Sequence, residues 1–207
     1  TDDFVAAMAD ASGRDFSQFL RWYDQAGTPV LSVQGDYNET ESTFRLTVTQ
    51  SCPPTPGQAE KAPFHLPFRV GLLSESGEPM PLSLQGQEAL MEDDSVVVEL
   101  REATTELTFT AVNAKPVVSL NRGFSAPVKV EYDYTLAQLA TLVRHDTDAV
   151  ARWDAATQLY ARAMIASAAG EEPAVDNLVI ETVRCLLQDS QTDLNLLAQL
   201  VQLPSVN

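Results

Sequence analysis

The residues best suited to metal or nucleophilic chemistry are two histidines, His65 and His145, and two cysteines, Cys52 and Cys185. A zinc site needs three or four such ligands brought to one point. Neither histidine belongs to an H-E-x-x-H pattern, and neither cysteine belongs to a C-x-x-C pair. The sequence therefore predicts packed or helix-end histidines and free thiols, with no catalytic, cofactor-binding or metal-binding residue in this chain.

Two acidic segments, residues 36–39 and 92–94, are the remaining candidates for cation ligands. Neither has the alternating oxygen ligands and central glycine of a calcium loop. The chain also lacks a G-x-S-x-G nucleophile turn and a G-x-x-x-x-G-K-[ST] phosphate loop. We expect both acidic segments to be solvated turns.

The charge balance excludes several classes of partner. The chain has 29 acidic and 13 basic residues in 207, a net charge of −16, which repels nucleic acid and anionic membrane surfaces. No apolar run approaches the length of about 18 residues that a transmembrane helix needs. The start lacks both a basic signal-peptide region and an initiator Met, which suggests a cut chain. Together with two widely separated thiols, this predicts a cytoplasmic protein without nucleic-acid or membrane partners.

Residues 1–28 carry the periodicity of two short helices. The first has apolar residues at helical spacing and ends near Gly13. The second begins at Asp15 or Ser17 and ends at Gly27, before Pro29 prevents its continuation. The apolar faces comprise Phe4, Val5 and Met8 in the first helix and Phe16, Phe19, Leu20 and Tyr23 in the second.

Residues 29–134 predict an antiparallel β-sandwich. Short segments alternate between apolar and polar residues, and turns rich in Gly and Pro separate several of them. A span of about 100 residues suits two packed antiparallel sheets. The predicted strands lie at 30–34, 43–49, 64–73, 95–100, 106–110, 117–120 and 128–134.

Residues 135–207 predict amphipathic helices that begin a helical array. We expect Asp148 to cap a long helix ending at Gly170, Pro173 to start the next, and Thr192 or Asp193 to cap the last. The buried stripe of the long helix is predicted to contain Trp153, Ala156, Tyr160 and Met164, widened by Val150, Leu159 and Ile165, and that of the next helix Leu178, Val179, Val183, Leu186 and Leu187.

A proline-rich segment spans residues 51–67. Proline removes backbone donors, which suits an extended connection between strands. A polyproline ligand for an aromatic groove is the alternative interpretation. We expect the structural role.

Several motifs resemble bacterial zinc aminopeptidases of the aminopeptidase N (alanyl aminopeptidase) family. Phe19, Trp22, Gln25, Gly27 and Pro29 match an F-x-x-W-x-x-Q-x-G-x-P pattern that joins the family's catalytic domain to the next domain. Further stretches match in the same order over nearly the whole chain; these are residues 2–8, 53–61, 64–68, 124–129, 144–146, 152–156 and 203–207.

The resemblance implies a parent enzyme that is a zinc metallopeptidase and removes N-terminal residues from peptides. In that family two His and one Glu hold zinc, a second Glu is the general base, and a G-A-M-E-N loop grips the substrate's amino terminus. None of these residues lies in this sequence, so no catalytic or zinc-binding position is carried over. The implied division is residues 1–28 as the end of the catalytic domain, 29–134 as the sandwich domain and 135–207 as the start of the C-terminal helical domain.

The role implied for this chain is that of a spacer, whose partners are the parent's own catalytic and C-terminal helical domains. In this role we expect Trp22 and Phe19 to pack the N-terminal segment onto the sandwich, and Trp153 and Tyr160 to pack the first long helix against its neighbours. The alternative is a free-standing immunoglobulin-like module for binding or scaffolding. A zinc motif upstream in the parent gene would distinguish the two.

Overall fold

The computed structural model describes residues 2–86, 89–170 and 173–204, and no side chain of residues 173–176. Within these residues, two short helices come first, eight strands follow, and four helices come last. The N-terminal helices are α1 (Asp2–Ser12) and α2 (Arg21–Asp24). The strands are β1 (Val30–Asn38), β2 (Thr43–Ser51), β3 (Leu66–Leu73), β4 (Leu90–Glu92), β5 (Ser95–Leu100), β6 (Thr104–Phe109), β7 (Val117–Leu120) and β8 (Lys129–Glu131), and the last helices are α3 (Leu136–His145), α4 (Ala149–Ala168), α5 (Pro173–Gln188) and α6 (Leu194–Leu200).

The strands form two four-stranded sheets, with orders β6-β2-β1-β8 and β4-β5-β3-β7. Most pairs are antiparallel, as the alternating sequence predicts. The exception is β8, which runs parallel to β1, with Val30 opposite Lys129 and Ser32 opposite Glu131. The first and last strands of the β-region therefore lie side by side.

The core lies between the two sheets. In β2, Phe44, Leu46 and Val48 are buried, and the intervening residues face outward or are partly covered. Phe68 and Val70 of β3 belong to the same continuous hydrophobic cluster. Burial of such side chains contributes about 1.5–3 kcal/mol each. The mixed β-then-α fold class predicted from the sequence is confirmed.

Side-chain caps fix where the C-terminal helices begin. Thr135 and Gln138 form a reciprocal capping box at the start of α3. Asp148 accepts a hydrogen bond from Ala151 N at 2.9 Å, and Asp193 caps α6 in the same way. The long helix α4 buries Leu159 and Tyr160, and the Tyr160 hydroxyl donates to the Leu200 carbonyl at 2.7 Å, which holds α6 against α4.

Part of the stripe predicted for the long helix is wrong. Trp153 is 48% exposed and Ile165 is 70% exposed, so neither packs α4 against another helix. The buried face is instead shifted toward Ala155 and Ala163, because small residues let neighbouring elements approach closely. Met164, Val150 and, in α5, Leu187 are also exposed large residues, contrary to the prediction.

Two other element predictions need correction. The second helix does not begin at Asp15 or Ser17; residues 16–20 form successive turns, and the α-helix covers only Arg21–Asp24. The sequence analysis also missed β4, whose three residues are all exposed and therefore show no alternation. Across the described residues, no helix has both the length and the apolar character to cross a membrane.

Candidate functional site

The structure concentrates its specific polar contacts at two junctions rather than in a catalytic cleft. The first lies where the N-terminal segment meets the proline-rich connection between β2 and β3. The second lies where the sandwich meets helices α3 and α4.

The N-terminal junction uses backbone carbonyls of the proline-rich segment as acceptors. Gln18 Nε2 donates to Pro63 O at 3.1 Å and to Arg101 O at 2.6 Å. Gln25 exchanges two hydrogen bonds with Ala62, at 3.0 and 2.7 Å. Because this segment pairs with no neighbouring strand along most of its length, its carbonyls remain free to accept these side-chain donors. The structural interpretation of residues 51–67 therefore accounts for these contacts.

Aromatic residues also form contacts across the same junction, as predicted for Trp22 and Phe19. Trp22 Nε1 donates to His65 O at 3.0 Å, and its ring lies 4.6 Å from the ring of Phe64 between centroids. Phe19 meets the His65 ring edge-on at 6.3 Å. Trp22 remains partly exposed, so it resembles an interface residue more than a core residue.

His65 lies at the centre of the N-terminal junction and is 4% exposed. Its Nε2 lies 2.9 Å from Glu99 Oε2, and Glu99 also binds Arg14 and Arg101. Burial lowers the pKa of His65, and the positive charge of Arg101 adds to this effect, whereas Glu99 opposes it. The neutral imidazole is therefore the favoured form within this junction.

The second junction is organised by Arg122, which is 2% exposed. It lies in a 3-10 turn between β7 and β8. Its Nη2 donates to Asp146 Oδ1 at 2.6 Å, and its Nη1 donates to Asp94 Oδ1 at 2.8 Å. Further acceptors are Ser95 Oγ at 2.8 Å, Thr147 Oγ1 at 2.9 Å, Ser119 Oγ at 3.0 Å and Asp94 O at 3.0 Å.

This network joins the two halves of the molecule through one guanidinium. Ser119 and Asp94 belong to the sandwich, whereas Asp146 follows α3. Burial opposes the charge on Arg122, but the neighbouring Asp146 and then Asp94 raise its pKa above the usual value. Gly71 makes room for the group, since a Cβ there would lie 2.7 Å from Arg122 Cζ.

Three close contacts reinforce the second junction. Gly77, in the turn after β3, packs so closely on α3 that a Cβ would lie 2.3 Å from His145 Cβ. On the other side, the buried Tyr134 donates from its hydroxyl to Val118 O at 2.9 Å, and Arg162 Nη1 of α4 donates to Tyr134 O at 2.5 Å. The sandwich and the helices are thus held at a defined angle.

The candidate residues from the sequence are not brought together. His65 lies at the first junction and His145 at the second, while Cys52 is partly buried and Cys185 exposed, both as free thiols. Among residues 2–86, 89–170 and 173–204 there is no group of three His, Cys, Asp or Glu that could hold a metal ion. These residues therefore do not fit a zinc ion, and no zinc-dependent step can be derived from them.

Sequence reasoning missed the most connected residues. Asp94 was expected in a solvated turn, but it is an anchor of Arg122, with its side chain 27% exposed. Arg122 and Asp146 had no predicted role. Their only sequence signal is an arginine beside a glycine between two apolar strands, which does not identify a distant partner.

Two family models match the chain. Residues 27–133 match the family described as "Domain of unknown function (DUF3458) Ig-like fold". The chain belongs to this family. Residues 136–207 match its companion, "Domain of unknown function (DUF3458_C) ARM repeats". In the DUF3458 region, the Ig-like description agrees with the two packed sheets.

The whole of this chain is also homologous to part of aminopeptidase N, which confirms the resemblance. It is 40% identical over 210 residues to aminopeptidase N of Escherichia coli, covering 100% of this chain and 24% of that protein. It is 35% identical over 207 residues to aminopeptidase N of Haemophilus influenzae, and this match covers 98% of this chain and 23% of that protein. The chain therefore spans about a quarter of the length of the curated relatives that it matches.

A solved structure has the same fold. Aminopeptidase A of Legionella pneumophila, crystallised in complex with aspartic acid, superposes with a TM-score of 0.81 and 26% sequence identity. The match covers 99% of this chain and 22% of that one. The arrangement of sandwich and helices is thus shared with a segment of a much longer aminopeptidase.

Proposed function

We propose that this chain is the non-catalytic spacer of a larger zinc-dependent aminopeptidase, which removes N-terminal residues from peptides. The observation that carries this proposal is the 40% identity that extends over all of this chain but only 24% of E. coli aminopeptidase N. In this proposal the spacer has no catalytic group, and zinc and peptide substrate bind to other parts of the parent.

The surfaces of the chain support a role between other domains. Helix α1 leaves Phe4 67% exposed and Met8 48% exposed. At the other end, Ile180 and Leu203 line an apolar groove between α4 and α5 and are themselves exposed. Large apolar groups at both ends of a chain are typical of surfaces that pack against further structure. We assign the first to the catalytic domain and the second to later helices of the helical domain.

The two junctions explain what a spacer contributes physically. The N-terminal junction holds the segment that joins the catalytic domain, and the Arg122 network holds the first helices of the helical domain. Each contains several buried or partly buried hydrogen bonds, so the angle between the flanking domains is fixed by the fold. A fixed angle would set how far the helical domain stands from the active site.

The proposal is tested on the intact parent. An antibody raised against this chain is used to isolate the protein from its source, and its mass, zinc content and hydrolysis of alanyl anilide are measured. We expect a chain about four times longer, with about one zinc per molecule and aminopeptidase activity. The recombinant 207-residue chain is the control and should be inactive. A zinc-free protein of 22.5 kDa would overturn the proposal and favour the free-standing binding module.

The proposal includes a cytoplasmic location. It rests on the sequence expectation of two reduced thiols. Cys185 is exposed, and an oxidising compartment would modify such a thiol, so a reducing compartment suits this chain better. Cell fractionation with the same antibody tests this location, and recovery outside the cytoplasm would refute it.

A further inference from the structure

A cleft of about 460 Å³ lies on the outer side of the second junction, between the 3-10 turn, β8 and α4. Phe124 and Trp153 line it, and they are 58% and 48% exposed. Asp154, Glu131 and Lys129 supply the charged groups of the lining. The cleft thus combines two accessible aromatic rings with a net negative charge. Neither ring contributes to the hydrophobic core described above.

Phe124 is held outward by a strained and braced turn. Its φ is +52°, and its neighbours Asn121 and Gly123 have φ values of +53° and +62°. A non-glycine residue in this region costs about 1–2 kcal/mol and persists only where the surroundings impose it. Asn121 Oδ1 accepts from Ala126 N and Ser125 Oγ, both at 3.0 Å, and Arg122 anchors the turn from inside. The fold therefore keeps the ring of Phe124 exposed although the backbone conformation that holds it there is energetically unfavourable.

Asp154 and Glu131 are the two carboxylates of the cleft, and neither forms an ion pair in the described structure; Asp154 is the one that directly follows Trp153 on α4. Its side chain accepts from Gln158 Nε2 at 2.8 Å. Asp154 keeps an exposed surface, but the walls of the cleft lie close enough to raise the pKa of this carboxyl, against the opposing effect of Gln158. A carboxylate in this condition gains from an added cation, which would restore the lost solvation and lower the pKa.

We propose that the cleft receives an arginine side chain from another domain of the same parent polypeptide, stacked on Trp153 and paired with Asp154. The inference rests on the proposed function, because it takes the partner from the three quarters of the relatives' length that this chain does not cover. Arginine fits better than lysine, because its planar guanidinium can stack on an aromatic face and bind a carboxylate through two donors. The apolar stem of the arginine packs against Phe124 and Val150.

The test compares the accessibility of the two rings in the isolated chain and in the intact parent. Hydroxyl-radical footprinting with mass spectrometry measures the oxidation of Phe124 and Trp153 in both. We expect both rings to be oxidised readily in the isolated chain and to be protected about fivefold or more in the parent, as for a stacked cation–aromatic contact. Oxidation of Met91, which is 53% exposed on β4 and lies outside both the lining of the cleft and the N-terminal segment assigned to the catalytic domain, gives the internal reference.

Charge variants of the parent identify the occupant. Asp154→Asn and Asp154→Lys should both reduce the protection of Trp153, the second more strongly, because the arginine loses its partner and then meets a like charge. Glu41→Lys, in the exposed turn between β1 and β2, makes the same charge change elsewhere and should have no effect. Protection that survives both Asp154 variants would show an apolar occupant and overturn the arginine assignment.

The same experiment separates failure of this inference from failure of the proposed function. If the isolated parent is a long zinc enzyme in which Trp153 and Phe124 are as reactive as in the 207-residue chain, the cleft is empty and only this inference fails. If the protein isolated from its source is the 22.5 kDa chain itself, the spacer role fails, and the inference fails with it.

Discussion

Arg122 is the residue on which the second junction depends most. Its guanidinium makes six hydrogen bonds, with acceptors on β7, on β5 and the turn before it, and on the segment after α3. Removing one member of such a buried network leaves the remaining charges without partners, and this penalty exceeds the net value of the ion pair itself.

We therefore expect Arg122→Met to lower the free energy of unfolding by about 3–5 kcal/mol. Urea denaturation followed by circular dichroism measures it. The matched control is Arg184→Met, since Arg184 forms an exposed pair with Glu181 on α5, and its loss should change stability by less than about 0.5 kcal/mol. Equal effects of the two substitutions would contradict the role given to Arg122.

The histidines predict how stability changes with pH. Burial lowers the pKa of both His65 and His145 below the ordinary value of 6.5. Below pH 6.5 the unfolded chain therefore binds more protons than the folded chain, and the free energy of unfolding falls as the pH decreases. This loss begins near the unfolded pKa and continues down to the folded pKa.

Urea midpoints at pH 7.5 and 5.5 test this. The pKa values of Glu99 and Asp94 are lowered, so both carboxylates stay ionised between these two pH values. The unmodified chain should lose stability at pH 5.5, and His65→Gln should lose less, because glutamine can still donate to Glu99 without titrating. If the stability of the His65→Gln variant changed with pH as much as that of the unmodified 207-residue chain, protonation of His65 would not be a cause of the loss.

At the scale of the elements, strands with regular alternation were well predicted and elements defined by distant contacts were not. The prediction of 43–49 agrees with Thr43–Ser51 because its apolar residues face one core. The misplaced start of α2 has a different cause: Gln18 and Trp22 bond to the sandwich, and residues 16–20 adopt the turns that such contacts allow. No local pattern encodes those partners, which lie more than forty positions away.

The stripe of α4 shows the same limitation. The predicted stripe contained Leu159, which is buried, as well as Trp153 and Met164, which are exposed, and periodicity alone cannot decide which edge of so wide a stripe is covered. The choice is made by α3, α5 and α6, which all pack on α4 and leave a buried face that includes Ala155 and Ala163. Large apolar side chains on the other face lie where the proposed function requires contacts with further structure.

The turn after β3 gives an element-scale prediction. Gly77 has a φ of +92° and lies against α3, so Gly77→Ala combines backbone strain with a clash against His145. We expect a loss of at least about 3 kcal/mol. Gly57→Ala is the control, because its φ of +79° is similarly strained but nothing lies within 4 Å of the added Cβ. That control should lose only about 1–2 kcal/mol, and equal losses would exclude the steric contribution.

For the whole molecule, the apolar groove between α4 and α5 predicts the behaviour of the isolated chain. Ile180 is 52% exposed and Leu203 60% exposed beside it. In the absence of a partner, two copies can bury these groups against each other. We expect sedimentation velocity to show a sedimentation coefficient that rises with protein concentration.

Substitution of both groove residues tests this association. Ile180→Ser with Leu203→Ser should weaken it by at least about tenfold, because each loses most of its apolar area. Tyr23→Ser removes a side chain of comparable exposure at the opposite end and should leave association unchanged. Association that persists in the double variant would place the contact elsewhere.

The parallel pairing of β1 and β8 has a mechanical consequence. The chain enters this pair at Val30, at the start of β1, and leaves it at Glu131, at the end of β8, and the two strands point the same way. A force that pulls the N-terminal segment away from the helices therefore acts along the strands in opposite directions. It loads the hydrogen bonds between the strands in shear, so they must break together rather than one after another. The sandwich resists tension between its two attachment points through this short pair.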